Sequence, residues 1–433
     1  DSRRSAVKPL MDEALEAQRS RNLRRAAELY HEVLARVPDE PDALHMLGVV
    51  RYELGDPTEA YALIRRALEL TDWGFWSYRH NLGLVVARLV SDRDRNRAWP
   101  TQARYRAWGK TPEGPGSGAS PKVAVVVPCY NHATFVERAL RSVFAQTYRH
   151  VEIVAIDDGS NDGSADVVRR ALEQSPFPSR FESRPNRGAA ATINEGVRQS
   201  DAQYVSVLNS DDAFTADRLQ VMVDHVAAQG FAWGFAEVEV IGEDEREADP
   251  LRQARAMNTL ILQGSVPLKP TVGFALLEAN VAISSGNLFF SRALFDGIGG
   301  FRDFRYHHDW DFCLRALRVA EPRYVRARTY RYRLHGANTI AESSDAARSE
   351  ADAVLRDYLS WATTTDPSDS EWTPCMANWG EMFVISVLSS DISGMLAPQQ
   401  LQAMVANLLG DAGDARAGGG DALQPAPLAD RPA

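Results

Sequence analysis

Between Lys122 and Asp212 the chain alternates short apolar runs with amphipathic stretches. Val123 to Val127 is an unbroken β-branched run halted at Pro128, the pattern of a strand buried on both faces. Phe135, Ala139, Leu140, Val143 and Phe144 then recur at helical spacing. A second buried run, Val151 to Ile156, ends in Asp157-Asp158-Gly159-Ser160. After a further helical stretch and the segment ESRPNRGAAATINEG, a third run (YVSVL) ends in Asn209-Ser210-Asp211-Asp212. Strands alternating with helices predict a parallel α/β sheet, and ligands gather at the carboxyl ends of such strands. All these polar clusters follow strand ends, so one crevice should collect them.

The first hundred residues follow a different rule. HMLGVVRYELG from His45 and HNLGLVVARLV from His80 are near-copies thirty-five residues apart. Ala26 and Ala60 fall at equivalent small positions, as Tyr30 and Ile64 do at larger ones. The period and the Leu-Gly, Ala and Pro landmarks resemble tetratricopeptide repeats, with a third copy incomplete after its first helix. Stacked helix pairs present a concave surface suited to a peptide or protein, which makes a protein partner the expectation here. An ordinary helical bundle is the alternative.

The predicted organisation is repeats over 1–108, a Gly/Pro/Ser-rich linker over 109–120 and the strand-helix domain over 121–340. A helical extension over 341–409 and a disordered tail over 410–433 complete it. The 433 residues are 45% hydrophobic and 24% charged, a globular composition long enough for two or three domains. A net charge of −10 argues against nucleic acid, which favours a basic face. Only four lysines occur, so nearly all positive charge is arginine. Cys129, Cys313 and Cys375 lack metal-ligand spacing and read as reduced core thiols of a cytosolic protein. No apolar run approaches the roughly 20 residues of a membrane span. The expected location is the cytoplasm, in part peripheral to a membrane; the chain opens at Asp1 without Met, so a removed targeting segment stays open.

VVVPCYN, IDDGSNDGS, NRGAAATINEG and LNSDD, in that order, resemble the nucleotide-binding half of the family 2 glycosyltransferases. FRDFRYHHDWDFCLRAL resembles that family's acceptor-side signature, and TYRYRLHGANT its closing His segment. The resemblance spans roughly 121–340. It implies an α/β GT-A fold, a Rossmann-like nucleotide-diphospho-sugar transferase domain, behind the all-α repeats. It also implies inverting transfer of a sugar from a nucleoside-diphosphate sugar, a UDP-sugar foremost, to a hydroxyl.

A departing diphosphate needs its charge neutralised, and the family commonly uses Mn2+ or Mg2+ held by oxygen ligands. The resemblance assigns Asp211 to the metal, with Asp212 beside it and His335 completing the shell or contacting the diphosphate. Asn209 stands where the family's Asp-x-Asp motif has its first Asp, which leaves it for the ribose or a metal-bound water, with Ser210 beside it. Helix capping is the alternative for Asp211 and Asp212. Asp158 resembles the carboxylate that accepts from the imide of uracil or thymine; for Asp157, turn chemistry is an equal reading. Tyr130 would lie against the base, with Pro128 supplying a backbone turn at this substrate site, Arg187 would reach base or phosphate, and Gly188 would admit close backbone approach. Ser285, Gly286 and Asn287 match the strand and loop that touch the sugar.

The resemblance gives the general base as Asp309, an ionised carboxylate at neutral pH, with His308 where Glu is usual. His307 or His308 is the alternative base. Trp310 would stack on a sugar or fill core, and Asp311 would cap the following helix. The acceptor is a bacterial protein recruited by the repeats, or alternatively a growing lipopolysaccharide or capsule chain. A scaffold without catalysis is the competing function class, favoured by Asn209 and His308 and opposed by Asp158, Asp211, Asp309 and His335 together.

Overall fold

The computed structural model describes residues 2–93, 120–250, 253–336, 345–366 and 371–409, which form two compact units. The predicted linker at 109–120, apart from Ser120, and the predicted tail at 410–433 lie outside the described residues.

The first unit begins with α1 (Ser2–Arg19), α2 (Leu23–Arg36), α3 (Pro41–Glu53), α4 (Pro57–Leu70) and α5 (Trp76–Arg93). Local chemistry sets their starts. The Asn22 side chain accepts from the Arg25 N–H, and Asp56 accepts from Glu59 N–H with Pro57 opening the helix. Ala26, Tyr30, Ala60 and Ile64 are all fully buried, as the repeat spacing requires. Gly48 on α3 lies so close to α4 that an added Cβ would meet Ile64 Cγ1 at 2.6 Å.

Its equivalent on α5, Gly83, is just as crowded, but by Leu388 and Ser389: a Cβ there would stand 2.7 Å from Ser389 Oγ. The helix Glu381–Leu388 therefore fills the position beside α5 that α4 fills beside α3. Arg79 Nε donates to Ser393 Oγ at 2.8 Å and the His80 ring pairs with the Ser389 carbonyl at 2.9 Å. The third repeat thus takes its second helix from a segment three hundred residues downstream. The extension expected as one piece over 341–409 divides: residues from Gly380 onward belong to the repeat unit, and those before it to the other. Sequence periodicity misses this because the partner helix lies outside the repeated stretch.

The second unit is built on an eight-stranded sheet in the order β3-β2-β1-β4-β7-β6-β8-β5. β1 (Val123–Cys129), β2 (Val151–Asp157), β3 (Ser179–Ser183) and β4 (Tyr204–Val207) are parallel neighbours joined by helices, matching the strand-helix alternation. β7 (Leu288–Ser291) then runs antiparallel to β4 and to β6 (Trp233–Ile241). β6 pairs parallel with β8 (Arg323–Arg333), and β5 (Ala213–Phe214) pairs antiparallel with β8. The parallel pairing predicted from the first half holds for β1 to β4, and the later strands make the whole sheet a mixed one. β1 and β2 are buried along almost their whole length, as an internal parallel strand must be.

Two pairings position the chemistry. β1, β2 and β4 end side by side, which brings the residues after Cys129, Asp157 and Val207 to one edge. The β5–β8 register, Ala213 opposite Arg331 and Phe214 opposite Tyr330, carries the residues before Ala213 toward those after Arg331. Asp211 and His335 meet for that reason.

Candidate active site

His335 Nε2 lies 3.0 Å from Asp211 Oδ2, and His132 Nε2 lies 3.9 Å from the same oxygen. Ligand atoms of His132, Asp211 and His335 all fall within 4.8 Å of one another, an arrangement able to hold a cation. Burial alone would raise the Asp211 carboxyl; the His335 hydrogen bond and the charge of His132 and His335 outweigh it and hold it below the usual carboxylate range. Asp211 is the anion of the group.

Asp212 has a different job. Burial, then the Asp211 charge, push its carboxyl well above the usual range. It accepts from the Tyr330 hydroxyl and, at 2.8 Å, from the Arg333 N–H. The Arg333 side chain is fully buried and donates from Nε to the Asp211 carbonyl at 2.8 Å. Asp212, Tyr330 and Arg333 thus lock the Asp211 backbone onto the end of β8. Neither helix capping nor ligation describes Asp212.

The sequence alone does not mark His132. It follows β1 on a loop whose backbone is fastened residue by residue. Asn131 N–H donates to Ser160 Oγ, His132 N–H to Ser164 Oγ and Ala133 N–H to Asp162 Oδ2, at 2.8 to 2.9 Å. Asn131 adopts a left-handed φ of 54°, which Asn tolerates. Ser210, expected at the substrate, pairs instead with His132 Nδ1 at 2.8 Å. The signal available was the Asn-His pair directly after a strand end, a weak one without the partner elements.

At the end of β2 the Asp158 carboxylate is nearly fully buried and well supplied with donors. Arg184 and the Arg187 N–H (2.8 Å) reach Oδ1, and the Gly188 N–H (2.9 Å) reaches Oδ2. The part of Arg187 that meets Asp158 is its amide, while its side chain is 63% exposed. Arg184, unremarked in the sequence, is the inner arginine and also bonds Glu195 and Thr192. Gly188 holds a left-handed φ of 88°, and no protein atom lies within 4 Å of where its Cβ would stand, which leaves its backbone open to approach. The close approach is at Gly159, where a Cβ would stand 2.7 Å from Asn186 N. Pro128 is half-buried on β1, and Tyr130, 48% exposed, offers an open aromatic face beside this loop.

The loop before β7 is a frame for the site. Asn209 Nδ2 donates to Ser284 Oγ at 2.8 Å, and Ser285 Oγ donates to Asn209 Oδ1 at 3.1 Å. Asn287 is fully buried, its amide bonded to Ala236, Ala282 and Arg218. Gly286 is also buried, and a Cβ there would overlap Tyr330 Oη. Asn287, expected to touch the sugar, has no surface left to do so, and Gly286 beside it is buried. Asn287 instead clamps a turn where Ile283 holds φ of 73°, an outlier for a β-branched residue.

On the acceptor side, Asp309 opens the helix His308–Leu317. Its Oδ2 accepts from Asn280 Nδ2 at 2.9 Å and its Oδ1 from the Trp310 N–H at 2.8 Å. The Tyr332 hydroxyl is raised by burial, then by the charges of Asp212 and Asp211, with a smaller contribution from Asp309. Trp310 is core: 6% exposed, with Nε1 donating to the Leu276 carbonyl. Asp311 is buried between Arg302 and Arg315 and serves as an ion-pair hub. Glu350, from the helix Asp345–Thr364, accepts the N–H groups of Arg305, Tyr306 and His307 at 2.7 to 3.2 Å. That residue, too, escaped sequence reading; its carboxylate fixes the entry to the Asp309 helix.

Cys129, Cys313 and Cys375 are buried and unpaired. Among the described residues no helix is long and apolar enough to cross a membrane.

Residues 124–299 match the glycosyl transferase family 2 model, and residues 11–72 a tetratricopeptide repeat model. An uncharacterized glycosyltransferase of Nostoc is 30% identical over 128 residues, covering 30% of this chain and 40% of that protein. The putative teichuronic acid biosynthesis glycosyltransferase TuaG of Bacillus subtilis is 27% identical over 129 residues, covering 30% of this chain and 51% of that one. The chain thus spans about half, or less, of the length of these curated relatives. Among solved structures, the mannosyltransferase PcManGT from Pyrobaculum calidifontis, in complex with GDP-Man and Mn2+, aligns with a TM-score of 0.43 and 18% identity, over 79% of this chain and 88% of that one. Over residues 124–299 the chain is thus similar to the family 2 glycosyltransferases, a match that lies on the mixed eight-stranded sheet, and over residues 11–72 it is similar to tetratricopeptide repeats.

Proposed function

We propose that this chain moves a sugar from a nucleoside-diphosphate sugar to a hydroxyl acceptor, with inversion at the anomeric carbon. The observation that carries this reading is the convergence of Asp211 and His335, far apart in sequence, on one point at a strand end. His335 Nε2 offers a lone pair there once its proton is released, and Asp211 is an anion in a buried setting, so the pair fits Mn2+ or Mg2+. A cation bound there supplies positive charge to the departing diphosphate. Tyr130 and the loop 184–188 around Asp158 are suited to the nucleoside, with a UDP-sugar as the leading donor.

Asp309 takes the acceptor's proton as the hydroxyl attacks, and Asn280 and the Trp310 amide orient the carboxylate for it. Glu350 holds the preceding loop still. The Asp211–His335 pair, Asp158 and Asp309 together support an active enzyme over a scaffold.

The repeats support a protein acceptor or a protein partner. The name of the Bacillus subtilis relative, teichuronic acid biosynthesis, supports the second reading, a cell-surface glycan as acceptor. Mass spectrometry of proteins and surface glycans from cells with and without the enzyme distinguishes them. A hexose lost from specific peptides supports the first, and a truncated polysaccharide with an unchanged protein profile supports the second.

A further inference from the structure

We infer that His132 is a third protein ligand of the cation, making the site a two-histidine, one-carboxylate face. The inference rests on the metal-dependent reading above and goes beyond it in ligand set and in the class of ion preferred.

The geometry points this way from several sides. Nε2 of His132 faces Asp211 Oδ2 at 3.9 Å, too far for a hydrogen bond but close for two groups awaiting a common ion. Adjacent ligands of an octahedral ion with bonds of about 2.1 Å lie about 3 Å apart. The His335–Asp211 edge already has that length, and a shift of under about 1 Å brings His132 to it. Ser210 supplies the orienting contact that metal-binding histidines typically have: with the proton on Nδ1 donated to Ser210 Oγ, the Nε2 lone pair is free for the ion. The ring stands edge-on to His335, 5.7 Å between centroids, so the two imidazoles approach one point from different directions. Phe135 packs against both rings and limits their rotation.

The ordinary account of His132, a loop histidine held by packing, explains the Ser210 contact but not the direction of Nε2. The backbone N–H groups of residues 131–133 are fastened by Ser160, Ser164 and Asp162, so the ring's aim is set in advance. Two imidazoles change the ion preferred. Nitrogen ligands favour Mn2+, Fe2+ and Co2+ over Mg2+, which selects oxygen and water. Three protein ligands on one face leave the opposite face for diphosphate oxygens and water.

The test is to count nitrogens on Mn2+ bound to the full-length protein, by pulsed electron paramagnetic resonance of the 14N couplings. Mn2+ and Mg2+ affinities are titrated alongside in wild type, His132→Ala, His132→Gln and His335→Ala. Two coupled nitrogens are expected in wild type and one in each histidine variant. Mn2+ affinity should fall about 10- to 100-fold on loss of His132, with a much smaller fall for Mg2+. One nitrogen in wild type that persists in the His132 variants, with unchanged Mn2+ affinity, overturns the inference and leaves the metal-dependent reading standing. No Mn2+ binding by wild type at all overturns both. The wild-type count needs no variant, so a His132 substitution that unfolds the protein does not remove the test.

Discussion

His335 and Asp211, 124 residues apart in sequence, stand 3.0 Å from each other because β5 and β8 pair antiparallel. Asp212, next in the chain, turns the other way and is consumed by Tyr330 and Arg333. The two acidic neighbours should therefore separate under mutation. Asp211→Ala is expected to abolish transfer while the thermal transition stays near wild type. Asp212→Ala strands the buried Tyr330 hydroxyl and the Arg333 amide, and should lower stability by about 1–3 kcal/mol or more. Thermal melts and turnover measured on both variants check this.

Asp309→Asn keeps the side chain's size but cannot accept a proton at neutral pH. Turnover should fall about 10²-fold or more, the scale of general base catalysis, with nucleoside-diphosphate affinity little changed. Calorimetric titration of the nucleotide separates the two effects. Loss of nucleotide binding as well would remove Asp309 from the base role. Near-normal turnover would move that role to His307 or His308.

Glu350→Ala frees three backbone N–H groups just before the Asp309 helix. A smaller fall in turnover is expected, with nucleotide affinity intact and partial recovery in Glu350→Gln, whose carbonyl still accepts. Initial rates at saturating donor read this directly.

The donor half of the site was largely legible because each polar cluster directly follows a strand that the β-branched runs mark out. Asp158 and Asp211 directly follow such strand ends, whereas His335 is reached only through the resemblance of TYRYRLHGANT. What the sequence hid were contacts made across elements. His132 and Arg184 acquire meaning only once β1, β2 and β4 lie side by side. Asn287 and Gly286 are offered as sugar contacts by the family resemblance alone, which does not register their burial against Arg218 and Tyr330. The helix that completes the third repeat was invisible for a related reason, since no periodicity links Gly83 to Ser389.

That borrowed helix changes how the repeats should be removed. Deleting residues 1–108 alone leaves the apolar face of Glu381–Leu388 without α5, so aggregation is expected. Deleting both 1–108 and 380–433 should restore solubility and keep donor hydrolysis, while transfer to the true acceptor falls sharply. Size-exclusion profiles and the two activities decide it. Equal loss of both activities would make the repeats a support for the catalytic unit.

His45 gives the repeat unit an acid limit. Its ring is buried between Tyr78 and Asn81, and burial, opposed by Asp42, pushes its pKa down to about 4. The unfolded chain, with an ordinary histidine near 6.5, binds the proton first as pH falls. The stability from neutral His45 is therefore fully present above about 6.5 and lost progressively toward about 4, by about 3 kcal/mol at most. Denaturant titrations across that range should show the loss in wild type and a flatter profile in His45→Gln.

The most direct test of the central claim is release of nucleoside diphosphate from a panel of UDP-, GDP- and dTDP-sugars by the purified full-length protein. It is measured with Mn2+, and again after chelation with excess EDTA and after Mn2+ is restored. The account predicts turnover of at least one donor with Mn2+, loss with EDTA, recovery on re-addition and none in Asp211→Ala at any metal concentration. Full turnover in excess EDTA, or an Asp211→Ala variant as active as wild type, would contradict it.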